Sequence, residues 1–169
     1  MTVDRLAVEI RATCEEDWET LKHIRLAALL DSPTAFGVRY ETAAAYSEQQ
    51  WRERASSMTL PEFLLAIDQG QPVGLVGGAV DPAQGYTLIA MYVRPSYQGK
   101  GIAARLVETI KARAMERGHR QVVLSVSPDN AQAANLYRRQ GFVFLPTWEM
   151  LASHPGINVQ KMEWRADAN

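Results

Sequence analysis

The sequence predicts a single mixed α/β domain of the α+β kind, with a central sheet and helices returning to both of its faces. Three observations predict it. Strand-like and helix-like segments follow one another as strand, helix, helix, three strands, helix, strand, helix, strand, strand. A helical segment separates the strands Tyr86–Val93 and Gln121–Val126, which makes them parallel neighbours through a right-handed crossover. No repeat, low-complexity stretch or linker interrupts residues 1–169, so the chain is read as one domain.

Each element has a local reason. Leu6, Val8 and Ile10 alternate with Ala7, Glu9 and Arg11, as a strand with one polar face does. Thr13 followed by Glu16 is a capping-box signature, and Trp18, Leu21, Ile24, Ala28 and Leu29 mark the helix behind it, which stops near Asp31-Ser32-Pro33. Residues 35–45 read as a loop or short helical stretch. Ser47 caps a further helix that runs to about Ser56, with Trp51 as its anchor. Glu62–Ile67 and Pro72–Val80 flank the turn Asp68-Gln69-Gly70-Gln71 and form a hairpin. Gly74, Gly77 and Gly78 in the second of these strands mark a bulge or a close backbone approach. Tyr86–Val93 returns antiparallel. A helix then runs to Arg117, with Gly118 as its stop, before the apolar strand at Val122–Val126. Ala131–Gln140 is helical, Phe142–Leu145 a strand and Pro146–Asn158 a long loop. Val159–Arg165 alternates as a last strand.

Composition narrows the function. The chain is 47% hydrophobic and 22% charged with a net charge of −1, which gives no electrostatic case for nucleic acid or an anionic membrane. The single cysteine, Cys14, excludes an intrachain disulfide and a cysteine-rich zinc site, and is read as a small buried or half-buried residue. No apolar run is long enough to span a bilayer. Residues 1–11 carry Asp4 and Glu9 and lack a signal peptide's apolar core, so a cytoplasmic protein is expected.

The most informative stretch is Met91–Leu106, the end of a strand, a Gly-rich turn and the first turn of a helix. Pro95 cannot donate to a sheet ladder and ends the strand. Gly99 and Gly101 have no Cβ, so an anion can approach the backbone. The free N–H groups of the next helical turn and the helix dipole favour negative charge, and Lys100 adds a full positive one. This suits a pyrophosphate. It is not the nucleotide P-loop, because Gly101 follows Lys100 where Ser or Thr is needed, and nothing is placed to hold a metal. It is not the dinucleotide fingerprint, which needs three glycines. A second motif follows: Asn130-x-x-Ala133-x-x-Leu136-Tyr137-x-x-x-Gly141-Phe142.

Gln98-x-x-Gly101-x-Ala103 resembles the acyl-CoA loop of the GCN5-related N-acetyltransferase superfamily, and the second motif resembles that family's other hallmark. The two stand in the family's order, separated by one helix and one strand. The resemblance covers Tyr86–Leu145 closely and the whole element order more loosely. It implies a mostly antiparallel sheet with two splayed parallel strands, and acetyl-CoA as cosubstrate. By position, Met91, Tyr92 and Val93 would offer backbone to the pantetheine arm, and Gln98, Gly99, Lys100, Gly101, Ile102 and Ala103 would cradle the pyrophosphate. Asn130 and Tyr137 match cofactor-contacting residues, with Tyr137 as proton donor to the departing thiolate. A phenol is neutral at neutral pH and can give a proton to sulfur.

The chain departs from the family at the base. The strand Tyr86–Ala90 has no carboxylate where many members carry a glutamate, and Ser125 stands where another group of members places one. Glu41, Glu149 and His154, in the early and late loops, are the candidates. Phe36, Tyr40 and Glu41 are expected to frame the acceptor. The expected activity is acetyl transfer to a primary amine of a small molecule or amino-acid derivative. The alternatives are a protein N-terminal or lysine acetyltransferase and a CoA-binding sensor without catalysis. No metal is expected, and a homodimer is a state the family often adopts.

Overall fold

The computed structural model describes residues 7–166. Its sheet is seven-stranded, in the order β1-β2-β3-β4-β5-β7-β6. The strands are β1 (Glu9–Ala12), β2 (Glu62–Asp68), β3 (Gln71–Asp81), β4 (Gly85–Val93), β5 (Gln121–Val126), β6 (Val143–Leu151) and β7 (His154–Arg165). The helices are α1 (Trp18–Asp31), α2 (Tyr40–Ala44), α3 (Glu48–Ala55), α4 (Ile102–Glu116) and α5 (Ala131–Arg139). Only the β4–β5 contact is parallel; the other pairings are antiparallel. The mixed fold and its parallel crossover are therefore as expected. Leu6, placed in the first strand by its alternation, lies outside the described residues.

Each face of the sheet has its own core. Tyr86, Leu88, Val93, Val122, Leu124 and Val126 pack with Leu106, Val107 and Ile110 of α4 and Tyr137 of α5. Phe63, Leu65, Leu75, Ala90 and Tyr92 pack on the other face with Leu21, Ile24 and Ala28 of α1 and Trp51 of α3. The helices find these faces because their apolar residues recur at helical spacing.

Local rules account for most boundaries. Gln69 and Gly70 both have positive φ, as the tight β2–β3 hairpin requires. Ser47 Oγ accepts from the Gln50 N–H at 3.2 Å while Gln50 Oε1 accepts from the Ser47 N–H at 2.8 Å, a reciprocal cap for α3. The glycines of β3 mark both a bulge and close approaches. A Cβ on Gly78 would sit 2.0 Å from the Tyr86 hydroxyl, and one on Gly77 would sit 2.9 Å from Ile89 and Phe63.

Three local expectations are corrected. The cap before α1 is made by Asp17, which accepts from the Cys14 N–H at 2.9 Å, because Thr13 is drawn inward to the Ser57 hydroxyl and the Phe63 carbonyl. Cys14 is exposed, and hydrogen bonds with Glu16 and Asp17 raise its thiol pKa. The loop expected over Pro146–Asn158 is instead the β6–β7 hairpin. β6 is an edge strand, where Pro146 costs no ladder bond on the open side, and the register shifts between Phe144 and Trp148. Most of β6 is exposed, so it needs no apolar alternation to be stable.

One polar cluster is buried beneath this framework. Glu62, fully buried at the start of β2, accepts from Arg113 Nε in the last turn of α4 and, at 2.5 Å, from Nε of Arg117, the residue that follows the helix. Tyr86 donates to the same carboxylate at 3.2 Å. A buried carboxylate is tolerable only when paired and hydrogen-bonded, and removing one member strands the others. Glu62→Ala should therefore cost about 3 kcal/mol in urea unfolding. A loss under about 1 kcal/mol, the range of an exposed ion pair, would contradict this account of the cluster.

Candidate active site

The site is built on a break in the sheet. Between Gly77↔Ile89 and Leu75↔Tyr92, β4 advances three residues while β3 advances two. The extra residue is absorbed at Ala90, whose φ is +59°, unusual for a side chain other than glycine. On its far side β4 pairs with β5 at Thr87↔Val123 alone. Beyond that pair the strands part. The Arg94 N–H bonds to the Val73 carbonyl at 2.9 Å, so alternation turns the amides of Met91 and Val93 away from β3, toward the gap. The Val93 carbonyl accepts from Gln98 Nε2 at 3.1 Å, so Val93 offers the gap its N–H while Met91 offers both its N–H and its carbonyl.

Below the gap the chain makes a 3-10 turn at Pro95–Tyr97 and enters α4. Gly99 and Gly101 are both left-handed, with φ of +79° and +83°. Gly101 is the residue before α4, so the loop's curvature comes from positions where a side chain would be strained. A Cβ on Gly99 would meet nothing within 4 Å, so its backbone is open to a ligand. Gln98 and Gly99 are exposed, Lys100 and Ala103 half-buried, and Ile102 is packed in the core. This fits a pyrophosphate: a concave backbone, free amides at a helix start, and a cation beside them. Tyr92 is directed to the opposite core, so its backbone, not its ring, belongs to the gap.

Asn130 Oδ1 accepts from the Ala133 N–H at 3.3 Å and caps α5. That helix carries Tyr137 into the core beside Phe142, with the rings edge-to-face at 5.7 Å. The Tyr137 hydroxyl has no hydrogen-bond partner among the described residues, and burial holds its pKa well above the ordinary phenol value. Tyr137 is therefore a neutral O–H donor throughout the physiological range.

On the opposite face the two segments expected to frame the acceptor meet. Arg39, Tyr40 and Glu41 line a cavity of about 230 Å³ with Leu29, Leu30, Pro33 and His154. Ser153, in the β6–β7 turn, donates to the Phe36 carbonyl at 2.6 Å and lies 2.9 Å from His154 Nδ1. Phe36 does not line this cavity, since its ring is buried. The Arg25 guanidinium lies 4.9 Å from the Phe36 ring centroid, and burial lowers its pKa to about 10. Of the three candidate bases, Glu41 and His154 share the cavity, whereas Glu149 accepts from Ser125 Oγ at 2.6 Å. Ser153 and Arg25 carry no sequence signal, because what they do depends on contacts across the fold.

The model of the acetyltransferase (GNAT) family matches residues 18–142. The chain belongs to this family. Solved structures agree in fold. A GNAT-family acetyltransferase of Streptococcus pneumoniae has a TM-score of 0.77 at 21% identity, over 94% of this chain and 98% of that one. The Salmonella typhimurium protein yncA, solved with its cofactor acetyl-CoA, has a TM-score of 0.73 at 17% identity, over 96% and 95%. The ribosomal-protein-alanine N-acetyltransferase of Brucella melitensis has a TM-score of 0.70 at 24% identity, over 93% and 99%. For this GNAT chain, membership supplies acetyl transfer as the chemistry and acetyl-CoA as the cosubstrate.

Two outcomes follow from the geometry. Ser153→Ala should speed amide hydrogen exchange about fivefold in residues 34–40 and 152–157 while leaving the sheet protected, because one hydrogen bond of about 1 kcal/mol ties the segments. Unchanged exchange there would show that the bond holds nothing. Tyr137 has a raised folded-state pKa, so its contribution to stability is complete below the unfolded value of about 10 and is lost as pH rises through the folded one. Native protein should accordingly show one more phenol titrating above the ordinary tyrosine range than Tyr137→Phe in an alkaline absorbance titration.

Proposed function

We propose that the chain transfers the acetyl group of acetyl-CoA directly to the primary amine of a small molecule or amino-acid derivative. The observation that supports this best is the break between β4 and β5, which leaves the Met91 backbone open and is followed along the chain by the left-handed Gly99–Gly101 loop and by the buried phenol of Tyr137. The backbone of Gln98, Gly99, Lys100, Gly101, Ile102 and Ala103 would hold the pyrophosphate, helped by the α4 dipole. Met91 and Val93 would pair with the pantetheine amides as a further strand does, and Asn130 would flank it from the start of α5. Acetyl-CoA supplies the activated acyl group. The Met91 N–H would polarise the acyl carbonyl, and Tyr137 would give its proton to sulfur. Transfer then needs no covalent enzyme intermediate.

The cavity supports the acceptor class. About 230 Å³ is at or below the small end of ligand pockets and suits an amine of amino-acid size. Arg39 and Glu41 offer both signs of charge, and Tyr40 an aromatic wall.

Calorimetric titration with CoA tests the donor half. Native protein should bind, and Gly101→Glu should lose at least about a hundredfold in affinity, since it places a carboxylate at a left-handed position facing phosphate. Tyr137→Phe should bind CoA normally and lose roughly 10²-fold in kcat on any amine that the native protein acetylates. Native protein that ignores CoA would remove the reading.

A further inference from the structure

A primary amine in neutral water is mostly ammonium, with a pKa near that of lysine, about 10.4. Its nitrogen attacks only after giving up a proton, so a proton acceptor must stand near the gap. The strands that form the gap supply none. Residues 85–93 of β4 and 121–126 of β5 contain no carboxylate and no histidine. Glu62 is buried and engaged by Arg113, Arg117 and Tyr86. Glu163 pairs with Arg165 and lies level with Val123, where β4 and β5 are still joined.

Glu149 is different. It projects from β6, two strands away, yet its Oε1 lies 2.6 Å from Ser125 Oγ on β5. Ser125 is the next residue along that face after Val123, the last residue that joins β5 to β4. The hydrogen bond thus carries a carboxylate across β7 to β5, the strand that borders the gap. Val122, Leu124 and Val126 point to the α4 core, so Ser125 and Glu149 face the side of α1 and the acceptor cavity. Both are exposed, so the carboxylate can exchange protons with water.

We propose that Glu149, positioned by Ser125, takes the proton from the acceptor amine. This rests on the N-acetyltransferase reading above. The ammonium gives one proton to the Glu149 carboxylate, and the freed lone pair forms the N–C bond to the acyl carbon. The C–S bond breaks with its electrons on sulfur, which takes the Tyr137 proton. As the amide forms, the nitrogen releases a second proton, which restores the phenol through solvent. Glu149 passes its own proton to water. The sum is ammonium plus thioester giving amide, thiol and one proton. The charged groups on the same face of the neighbouring β7 are Lys161 and Glu163, and His154 lies in the same hairpin as Glu149. None of them forms an ion pair with Glu149 among the described residues.

The test measures thiol release from acetyl-CoA against pH, over a panel of primary amines, for native protein, Glu149→Gln, Glu149→Asp and Ser125→Ala. Calorimetry with CoA and thermal unfolding are run on each variant. At pH 7 Glu149→Gln should lose about 10²-fold in kcat/KM for the amine, with CoA affinity and unfolding unchanged. The gap should close as pH approaches the amine's own pKa, where free amine no longer needs a base. Ser125→Ala should lose about tenfold with the same pH signature, and Glu149→Asp should recover part of the loss. A constant deficit at every pH, or none, overturns the assignment and leaves the acetyltransferase reading standing. Native protein that binds CoA and acetylates no amine overturns both.

Discussion

The parting of β4 from β5 is the constraint on which the rest of the molecule depends. A sheet gains stability from every ladder bond it completes, and an unpaired backbone is costly unless something satisfies it. Here the ladder is given up at the centre of the sheet, after Thr87↔Val123. The displacement begins in the backbone of Ala90, which takes a left-handed conformation to absorb one extra residue. β7 then completes β5 on its other side along its whole length, from Gln121↔Arg165 to Val126↔Gln160. The sheet is therefore held as two halves by α4 and by the apolar core beneath it, rather than by continuous pairing.

Helix α4 serves both halves because its two ends are treated differently. Its first turn follows the left-handed Gly101 and leaves its amides unused within the helix. Its last turn and the residue that follows it send Arg113 and Arg117 to the buried Glu62 of β2. The end that would meet phosphate is free to do so because the other is fixed. The arrangement also explains the glycine at position 78, which gives the Tyr86 hydroxyl room to reach the same carboxylate.

The local structure of residues 86–142 was legible in the sequence, and the packing of the early and late segments was not. Residues 86–142 spell out their structure locally: Pro95 stops a strand, Gly101 starts a helix, Asn130 caps another and Gly141 ends it. Each of these acts on its immediate neighbours, so reading the chain in order recovers them. Ala90 was invisible, because nothing marks an alanine for positive φ. The β6–β7 hairpin was missed because an exposed edge strand has no apolar period to betray it. Ser125 and Glu149 were each noticed, but their contact joins residues 24 positions apart and exists only once β7 lies between them. Nothing beside Glu62 in the chain marks it for burial, because its arginine partners lie 51 and 55 residues away.

The hydrogen bond from Ser153 to the Phe36 carbonyl spans 117 residues. It divides the molecule along a line the domain boundary does not show. The segments proposed to hold acetyl-CoA form one uninterrupted passage of chain, whereas the cavity at Tyr40 and His154 is walled by two segments on either side of it. Transplanting the early segment into a related scaffold would bring Tyr40 and Glu41 without the turn that braces them. New acceptor preferences on this framework are therefore a two-segment problem, in which the early and late loops must be exchanged as a matched pair.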